Sequence, residues 1–215
     1  MPEAAEGVSP GKVSAIDAEA FRGAMASVCA PVSVVTTMAG DRPHGTTVSA
    51  FASLSLNPPM VLVSLDRSSE LLRHIRRALL FGLNVLHTDQ AALAAAFARK
   101  GESKFDGISW VLDSGVPRLD GCAAWLACSV RRMVNGGDHT VVFGDVLSVA
   151  HAPAPPLTYY QRRFGTHQAH QDRGEGQQQP RPRQPVLQER PGQPEAASPW
   201  PGLTADSPEA LFAFS

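Results

Sequence analysis

Residues 45–56 read GTTVSAFASLSL and run directly into Asn57-Pro58-Pro59. Thr47, Ser49 and Ser53 share one parity along this stretch, with Phe51 between them, so a strand here would show hydroxyls on the face that also holds an aromatic ring. A simple core strand does not carry that pattern. The prolines break the strand, because neither can donate to a ladder. Just upstream, Val32 to Met38 (VSVVTTM) is rich in β-branched residues suited to a pleated surface, and Gly40-Asp41-Arg42-Pro43 supplies turn chemistry. The two stretches predict a hairpin whose returning strand is continuous from Gly45 to Leu56.

Working outward, Met60 to Leu65 (MVLVSL) is a near-continuous apolar run of strand length that delivers the chain to Asp66-Arg67-Ser68-Ser69, just before a helical stretch from Glu70 to Leu80. Polar groups therefore gather at a helix start. Phe81 to Leu86 predicts a short strand, and Thr88 or Asp89 can cap the alanine-rich helix QAALAAAFARK, where Leu93 and Phe97 stand four apart. The stretch from Lys104 to Pro117 predicts an irregular crossing. Two longer strands follow, Cys122 to Met133 and Thr140 to Val149, joined by Asn135-Gly136-Gly137-Asp138-His139, a hairpin signal of open turn type. On the other side of the hairpin, Asp17 can cap AEAFRGAMASV, which sets Phe21, Met25 and Val28 on one face. Pro31 closes that helix.

Short strands joined mostly by tight turns, with helices in only a few connections, predict a mainly β fold, an antiparallel barrel rather than a doubly wound parallel sheet. Residues 1–14 are small and polar and predict a flexible leader. Residues 15–167 then make the folded domain. From Gln168 to Ser215 the chain turns to Gln runs and holds eight of its 18 prolines, a composition that cannot bury enough apolar area to offset the entropy of ordering. That predicts a disordered Gln/Pro-rich tail.

Composition narrows the function. The 215 residues suit one domain with a tail, and 43% hydrophobic content suffices for a core. Nineteen basic against twenty acidic side chains give a net charge of −1, which argues against a nucleic-acid partner. No apolar run approaches the roughly 18 residues of a membrane span, and the N-terminus lacks the pattern of a signal peptide, so the expected location is cytoplasmic. Cys29, Cys122 and Cys128 lack zinc-site spacing and predict buried reduced thiols. The histidines are dispersed, so no metal is expected. No G-x-S-x-G elbow and no paired carboxylates at strand ends offer an anchor for hydrolysis. Neither G-x-G-x-x-G after a strand nor G-x-x-x-x-G-K-[ST] occurs, so any nucleotide must be held in another way.

What remains is a polar set beside apolar strands: Thr46, Thr47, Ser49, Ser53 and Ser55, then Ser64, Asp66, Ser68 and Ser69, then Lys104, and finally Asp138-His139. Hydroxyls with backbone N–H groups can hold an amide-rich heterocycle, and a helix start with Ser68, Ser69 and Arg67 can hold a phosphate, a combination that suits a flavin mononucleotide. The same serines can instead satisfy backbone groups in bulged strands, and Ser68 or Ser69 can be a plain helix cap. His139 reads equally as a turn-capping histidine. Asn84, polar within an apolar strand, needs a partner if buried, either across the barrel or on a ligand. Trp110 and Trp125 read as packing residues.

A resemblance bears on this choice. Thr36-Thr37, Pro43-x-Gly45-x-Thr47-x-Ser49-x-Phe51-x-Ser53-Leu54-Ser55-x-x-Pro58-Pro59, Asp66-Arg67-Ser68-Ser69, Phe81-x-x-Asn84-Val85-Leu86, Lys104-Phe105-x-Gly107-x-x-Trp110 and Gly137-Asp138-His139-x-x-x-x-Gly144 follow one another as in the flavin reductase family. The match covers roughly residues 15 to 165. The resemblance implies the FMN-binding split barrel and the reductase component of a two-component flavin-dependent monooxygenase. It implies hydride transfer from NADH or NADPH to a loosely held FMN or FAD, which then diffuses to a separate oxygenase. Position by position it sets the ring and ribityl chain against Gly45, Thr46, Thr47, Val48 and Ser49 and against Ser53, Leu54 and Ser55. It sets the phosphate near Asp66 to Ser69, with Ser64 and Leu65 lining the approach and Lys104 at the site. Asp138 and His139 match the motif associated with the nicotinamide, with His139 as catalytic residue, and Tyr159-Tyr160 match an aromatic pair close to it. A homodimer is implied as well. Where the family commonly continues that pair with Arg-Gly, this chain has Gln161-Arg162. A split-barrel oxidase or oxygenase that retains its flavin, a non-catalytic flavin or haem carrier, and an interaction protein working through its tail are the competing readings.

Overall fold

The computed structural model describes residues 16–101 and 104–169. Its core is a seven-stranded sheet built from β2 (Ser33–Ala39), β3 (Arg42–Val48), β4 (Phe51–Leu56), β5 (Pro59–Asp66), β6 (Leu80–Val85), β9 (Ala124–Gly136) and β10 (His139–His151), in the order β3-β2-β6-β9-β10-β5-β4. Its ladders are all antiparallel. The strands β3 and β4 occupy opposite edges, yet only Ser49 and Ala50 lie between them. Three residue steps reach roughly 11 Å, whereas seven strands laid flat would set the edges about 29 Å apart. The sheet must therefore curl until its edges meet. The barrel predicted from the sequence is present, but the continuous strand from Gly45 to Leu56 is not: it breaks at Ser49-Ala50, where the chain changes edges and the Ala50 carbonyl accepts from the Ser64 N–H at 2.8 Å.

Local chemistry explains the hairpins. Gly40, at φ +68°, and Asp41 turn β2 into β3, and Pro43 is tolerated because β3 is an edge strand. The loop between β9 and β10 is only Gly137-Asp138, with Gly137 at φ +62°, so a two-residue turn replaces the open-ended loop expected. Asp17 caps α1 (Ala18–Ala26) as predicted, accepting from the N–H groups of Glu19 and Ala20. On the face set by their spacing, Phe21, Met25 and Val28 are all exposed.

Helix α2 (Glu70–Ala78) buries Leu71, Leu72 and Ile75 in a cluster with Val63, Leu65, Phe81, Cys128 and Val142. Each such side chain, fully withdrawn from water, contributes about 1.5–3 kcal/mol. Helix α3 (Ala91–Ala98) is preceded by a 3-10 turn, Thr88–Gln90, whose cap is His87 and neither Thr88 nor Asp89: the His87 Nδ1 accepts from the Asp89 N–H, and the Gln90 side chain accepts from the His87 N–H. A second cluster gathers Val32, Val34, Phe97, Leu119 and Leu157.

The stretch read as an irregular crossing contains a further hairpin, β7 (Trp110–Asp113) and β8 (Val116–Leu119), and the chain also forms β1 (Ala30–Pro31), β11 (Leu157–Tyr160) and β12 (Arg163–Thr166). Gln161 and Arg162 turn β11 into β12 with φ of 47° and 62°. A glycine would adopt that left-handed geometry without a Cβ penalty, which gives a physical reason for the family's Arg-Gly at this point. Cys29 corrects the expectation of three buried thiols. It is exposed, in the link between α1 and β1, while Cys122 is half-buried and Cys128 buried, and all three are free. Trp125 is a core residue and Trp110 packs on the second cluster, as expected. The leader predicted for residues 1–14 lies outside the described residues, as does the predicted tail beyond Ala169.

Asn84 holds the small hairpin to the barrel. Fully buried, its Nδ2 donates toward the Val34 carbonyl, the Thr36 hydroxyl and the Pro117 carbonyl at 3.1, 3.2 and 3.4 Å, and its Oδ1 accepts from the Leu119 N–H at 2.9 Å. The structural role is thereby selected over ligand contact. Asn84→Ala strands the Leu119 N–H inside the core, while the Pro117 carbonyl keeps its bond from the Thr36 hydroxyl at 2.6 Å, and equilibrium urea unfolding is expected to register a loss of about 2–4 kcal/mol.

Candidate functional site

Among the described residues no ladder joins β3 to β5, and the seam between these strands holds a cavity of ≈ 510 Å³. Three sides are polar or charged. Strand β3 presents His44, Thr46 and Val48; β5 ends in Leu65 and Asp66; the turn into α2 gives Ser68, Ser69, Glu70 and Leu71. The end of α3 closes the space with Ala98, Arg99, Lys100 and Gly101, and Lys104 reaches in from the following turn.

Alternation along β3 decides which residues face the cavity. His44, Thr46 and Val48 line it, whereas the intervening Gly45 and Thr47 turn to the core. The Thr47 hydroxyl donates to the Ala94 carbonyl at 2.7 Å, a structural bond that fastens α3 to the barrel. The hydroxyl face picked out by Thr47, Ser49 and Ser53 is therefore the wrong parity on β3, and the break at Ser49-Ala50 ends any shared face with Ser53. Gly45 is needed for a close approach: a Cβ there would sit 3.0 Å from the Phe97 ring. Lys104 then locks the same contact, its ammonium donating to the carbonyls of Phe97 and Gly45 at 3.0 and 3.2 Å, and Thr46 donates to the Phe97 carbonyl at 3.3 Å. Burial holds the Lys104 pKa below its ordinary 10.5.

The turn into α2 leaves donors free at a helix start. Asp66 Oδ1 accepts from both the hydroxyl and the N–H of Ser68 at 2.6 Å, bonds that, with Ser68's hydroxyl foremost, hold the carboxyl below its usual range. Ser69 is the N-cap of α2 but makes no capping bond with its side chain. Its hydroxyl and the helix start are thus available to a ligand. Glu70, the acidic residue nearest that end, is paired with Arg73 at 3.0 Å.

Asp138 and His139 stand beside this turn, outside the cavity lining. His139 is directly opposite Asp66 in the β10–β5 ladder, so the two side chains share a sheet face. Asp138 Oδ1 lies 2.8 Å from His139 Nδ1, and this hydrogen bond holds the exposed carboxyl below its ordinary value. The Arg67 N–H donates to the Asp138 carbonyl at 2.9 Å and its guanidinium toward the Gly137 carbonyl at 3.5 Å, joining the phosphate-type turn to the Gly-Asp-His turn.

Of the residues singled out from the sequence, the structure brings Thr46, Val48, Leu65, Asp66, Ser68, Ser69 and Lys104 to one cavity. It does not bring Ser53, Leu54 and Ser55 there: they lie on β4, with Ser53 and Leu54 exposed and the Ser55 hydroxyl accepting from the Asn57 N–H. Ser49 and Ser64 flank the edge change without lining the space. Tyr159 packs on the second cluster, its ring 5.4 Å from that of Phe164, and Tyr160 is exposed on β11. Sequence reasoning missed His44, Arg99 and Lys100. The parity of His44 with Thr46 was the available signal.

Residues 25–168 match the model of the flavin reductase like domain. The chain belongs to that family. It is 38% identical over 150 residues to the FMN reductase (NADH) SmoA of Agrobacterium fabrum, covering 69% of this chain and 86% of that protein. Identity is also 38% over 149 residues to the flavin-dependent monooxygenase reductase subunit HsaB of Mycobacterium tuberculosis, covering 67% of this chain and 80% of that one. Among solved structures, the Streptomyces globisporus NADH:FAD oxidoreductase SgcE6, in complex with NAD and FAD fragments, superposes with a TM-score of 0.68 at 30% identity, covering 79% of this chain and 99% of that one. The family read from the sequence and its fold are both borne out.

The residues of the seam fit a flavin: hydroxyls, a half-buried ammonium and a helix start surround one cavity with apolar walls at Val48 and Leu65. The same cavity has a titration signature. Burial first, then the charge of neighbours, holds His44 below its ordinary 6.5, and burial does the same for His74 on α2. Once the pH falls to 6.5 and lower, the unfolded chain binds more protons at these two sites than the folded one, so stability rises with pH across that window and is lost as pH falls. Thermal unfolding of the ligand-free protein is expected to show a falling midpoint between pH 7 and pH 5, and His44→Gln to flatten part of that fall.

Proposed function

We propose that this protein uses NADH to reduce FMN or FAD held loosely in the seam cavity, and releases the reduced flavin to a separate flavin-dependent monooxygenase. The observation that carries the reading is the convergence of Thr46, Ser68, Ser69 and Lys104 on one cavity at the start of α2. The names of the relatives support it, since one is an NADH-dependent FMN reductase and another the reductase subunit of a monooxygenase. NADPH as an alternative donor is left to the same assay.

When bound, the flavin supplies the acceptor for hydride and the nicotinamide supplies the donor. The chain needs no nucleophile for that reaction. Ser69, with the N–H groups of the first turn of α2, takes the phosphate, and the cations Arg99 and Lys100 balance its charge. Thr46 spends its proton on the Phe97 carbonyl and keeps its oxygen to accept from a ring N–H. Val48 and Leu65 exclude water from the ring, and positioning of this kind can be worth several kcal/mol of barrier. Asp138 orients the imidazole of His139, which donates to the nicotinamide carboxamide or exchanges a proton at a ring nitrogen. Tyr160 is the exposed member of the aromatic pair.

We further propose a homodimer, supported by the exposed Met25 on α1 and Val28 just beyond it, and by Leu147 and Val149 on β10, which are 56% and 63% exposed. A cytoplasmic location fits three free thiols, and no helix among the described residues is long and apolar enough to cross a membrane. Residues 15–167 are taken as the sufficient catalytic unit.

Three measurements test these statements. NADH oxidation should accelerate as free FMN is titrated in, and a rate indifferent to added flavin would reject the diffusible-flavin reading in favour of a retained cofactor. Ser69→Glu, which sets a charge against the phosphate, should weaken FMN binding by about tenfold or more while sparing riboflavin. A chain ending at His167 should keep its reductase activity and sediment as a dimer.

A further inference from the structure

The cavity face of β3 carries one group that the reading above does not use. His44 opens on the same space as Ser69 and Lys104, and behind it stands His74 of α2, with ring centroids 4.9 Å apart and planes tilted by 54°. From α2 the imidazole of His44 also feels Glu70 and Arg73, and from the turn after α3 it feels Lys104. Asp66 and Lys100 border the same cavity. Arg99 lines that cavity as well. The imidazoles are the groups that change state in the neutral range.

The neighbourhood of His44 in the ligand-free protein disfavours its protonation, because burial, His74 and Lys104 all act against the imidazolium, with Glu70 as the opposing charge. A phosphate seated at the start of α2 adds negative charge to that same space and reverses the balance. Linkage makes the effect reciprocal: if the anion promotes protonation of His44, protonation of His44 tightens the anion by the same factor.

We propose that His44, backed by His74, is an additional flavin-binding residue that grips the phosphate-bearing part of the ligand when protonated and relaxes when neutral, so that flavin is held as pH falls and let go as pH rises. The inference rests on the flavin reading of the cavity. It assigns His44 a ligand contact, and His74 the part of a positioning residue that sets the pH at which the contact engages.

The test measures dissociation constants of FMN and riboflavin by flavin fluorescence between pH 5.5 and pH 8, for the wild type, His44→Gln and His74→Gln. The ratio of the FMN constants, His44→Gln over wild type, is expected to grow about tenfold from pH 8 to pH 5.5. Taking that ratio at each pH cancels the ionisation of the FMN phosphate itself. The same ratio for riboflavin, which has no phosphate, should stay level. His74→Gln removes a competing cation and should move the wild-type transition to higher pH, an outcome that decides the matter even if His44→Gln fails to fold. In parallel, the imidazole resonances of labelled His44 should titrate at higher pH with FMN present. A level FMN ratio with an unmoved His44 titration overturns the proposal while leaving the flavin site intact. If the wild type binds neither flavin at any pH, the flavin reading falls, and this proposal with it.

Discussion

Two residues carry the chain from one edge of a seven-stranded sheet to the other, and the rest of the molecule follows from that short tether. Because Ser49 and Ala50 cannot reach far, the sheet has to curl, and because β3 and β5 meet without pairing, the curl leaves a slot. Helices α2 and α3 then bring their ends to the slot. Lys104 fixes the end of α3 by donating to the carbonyls of Phe97 and Gly45, and the absence of a side chain at Gly45 lets the Phe97 ring lie against the strand. The cavity is a by-product of closure, bounded by parts whose positions closure dictates.

Rigid and adaptable regions are divided accordingly. Several buried polar side chains that turn away from the slot are paired within the protein: Asn84 by four contacts, Thr36 with the Pro117 carbonyl, Thr47 with the Ala94 carbonyl. The polar groups of the slot are left with spare capacity, as the uncapping Ser69 hydroxyl illustrates. Such a partition suits a reaction that asks the protein for alignment and charge balance rather than for a nucleophile. It also suits a ligand that must leave.

Much of this was legible in the residues. The β-branched run ahead of Gly40-Asp41 and the Asn-Gly signal ahead of Gly137-Asp138 marked the two hairpins, the Asp17 cap marked α1, and the Asp-Arg-Ser-Ser turn before Glu70 marked the start of α2. The break at Ser49-Ala50 was not, because a change of sheet edge leaves no trace in a stretch of small residues that is β-prone on both sides. That one miss misassigned the face of Thr47 and hid His44, since parity was counted through the break. The β7–β8 hairpin was hidden for a different reason: Pro117 sits inside β8 and Ser114-Gly115 makes its turn, so local composition resembled a loop. Exposure of Cys29 depends on tertiary packing around a short link, which spacing does not encode.

The uneven burial of the thiols has a bearing on how such an enzyme ages. Reduced flavin that escapes to oxygen yields hydrogen peroxide, and thiolates, not thiols, are what that oxidant attacks. Burial pushes the Cys122 and Cys128 thiols up to about 12, so both stay protonated near neutrality. Cys29 is the one exposed sulfur of the three, and the two whose modification would disturb the packing of the barrel are shielded.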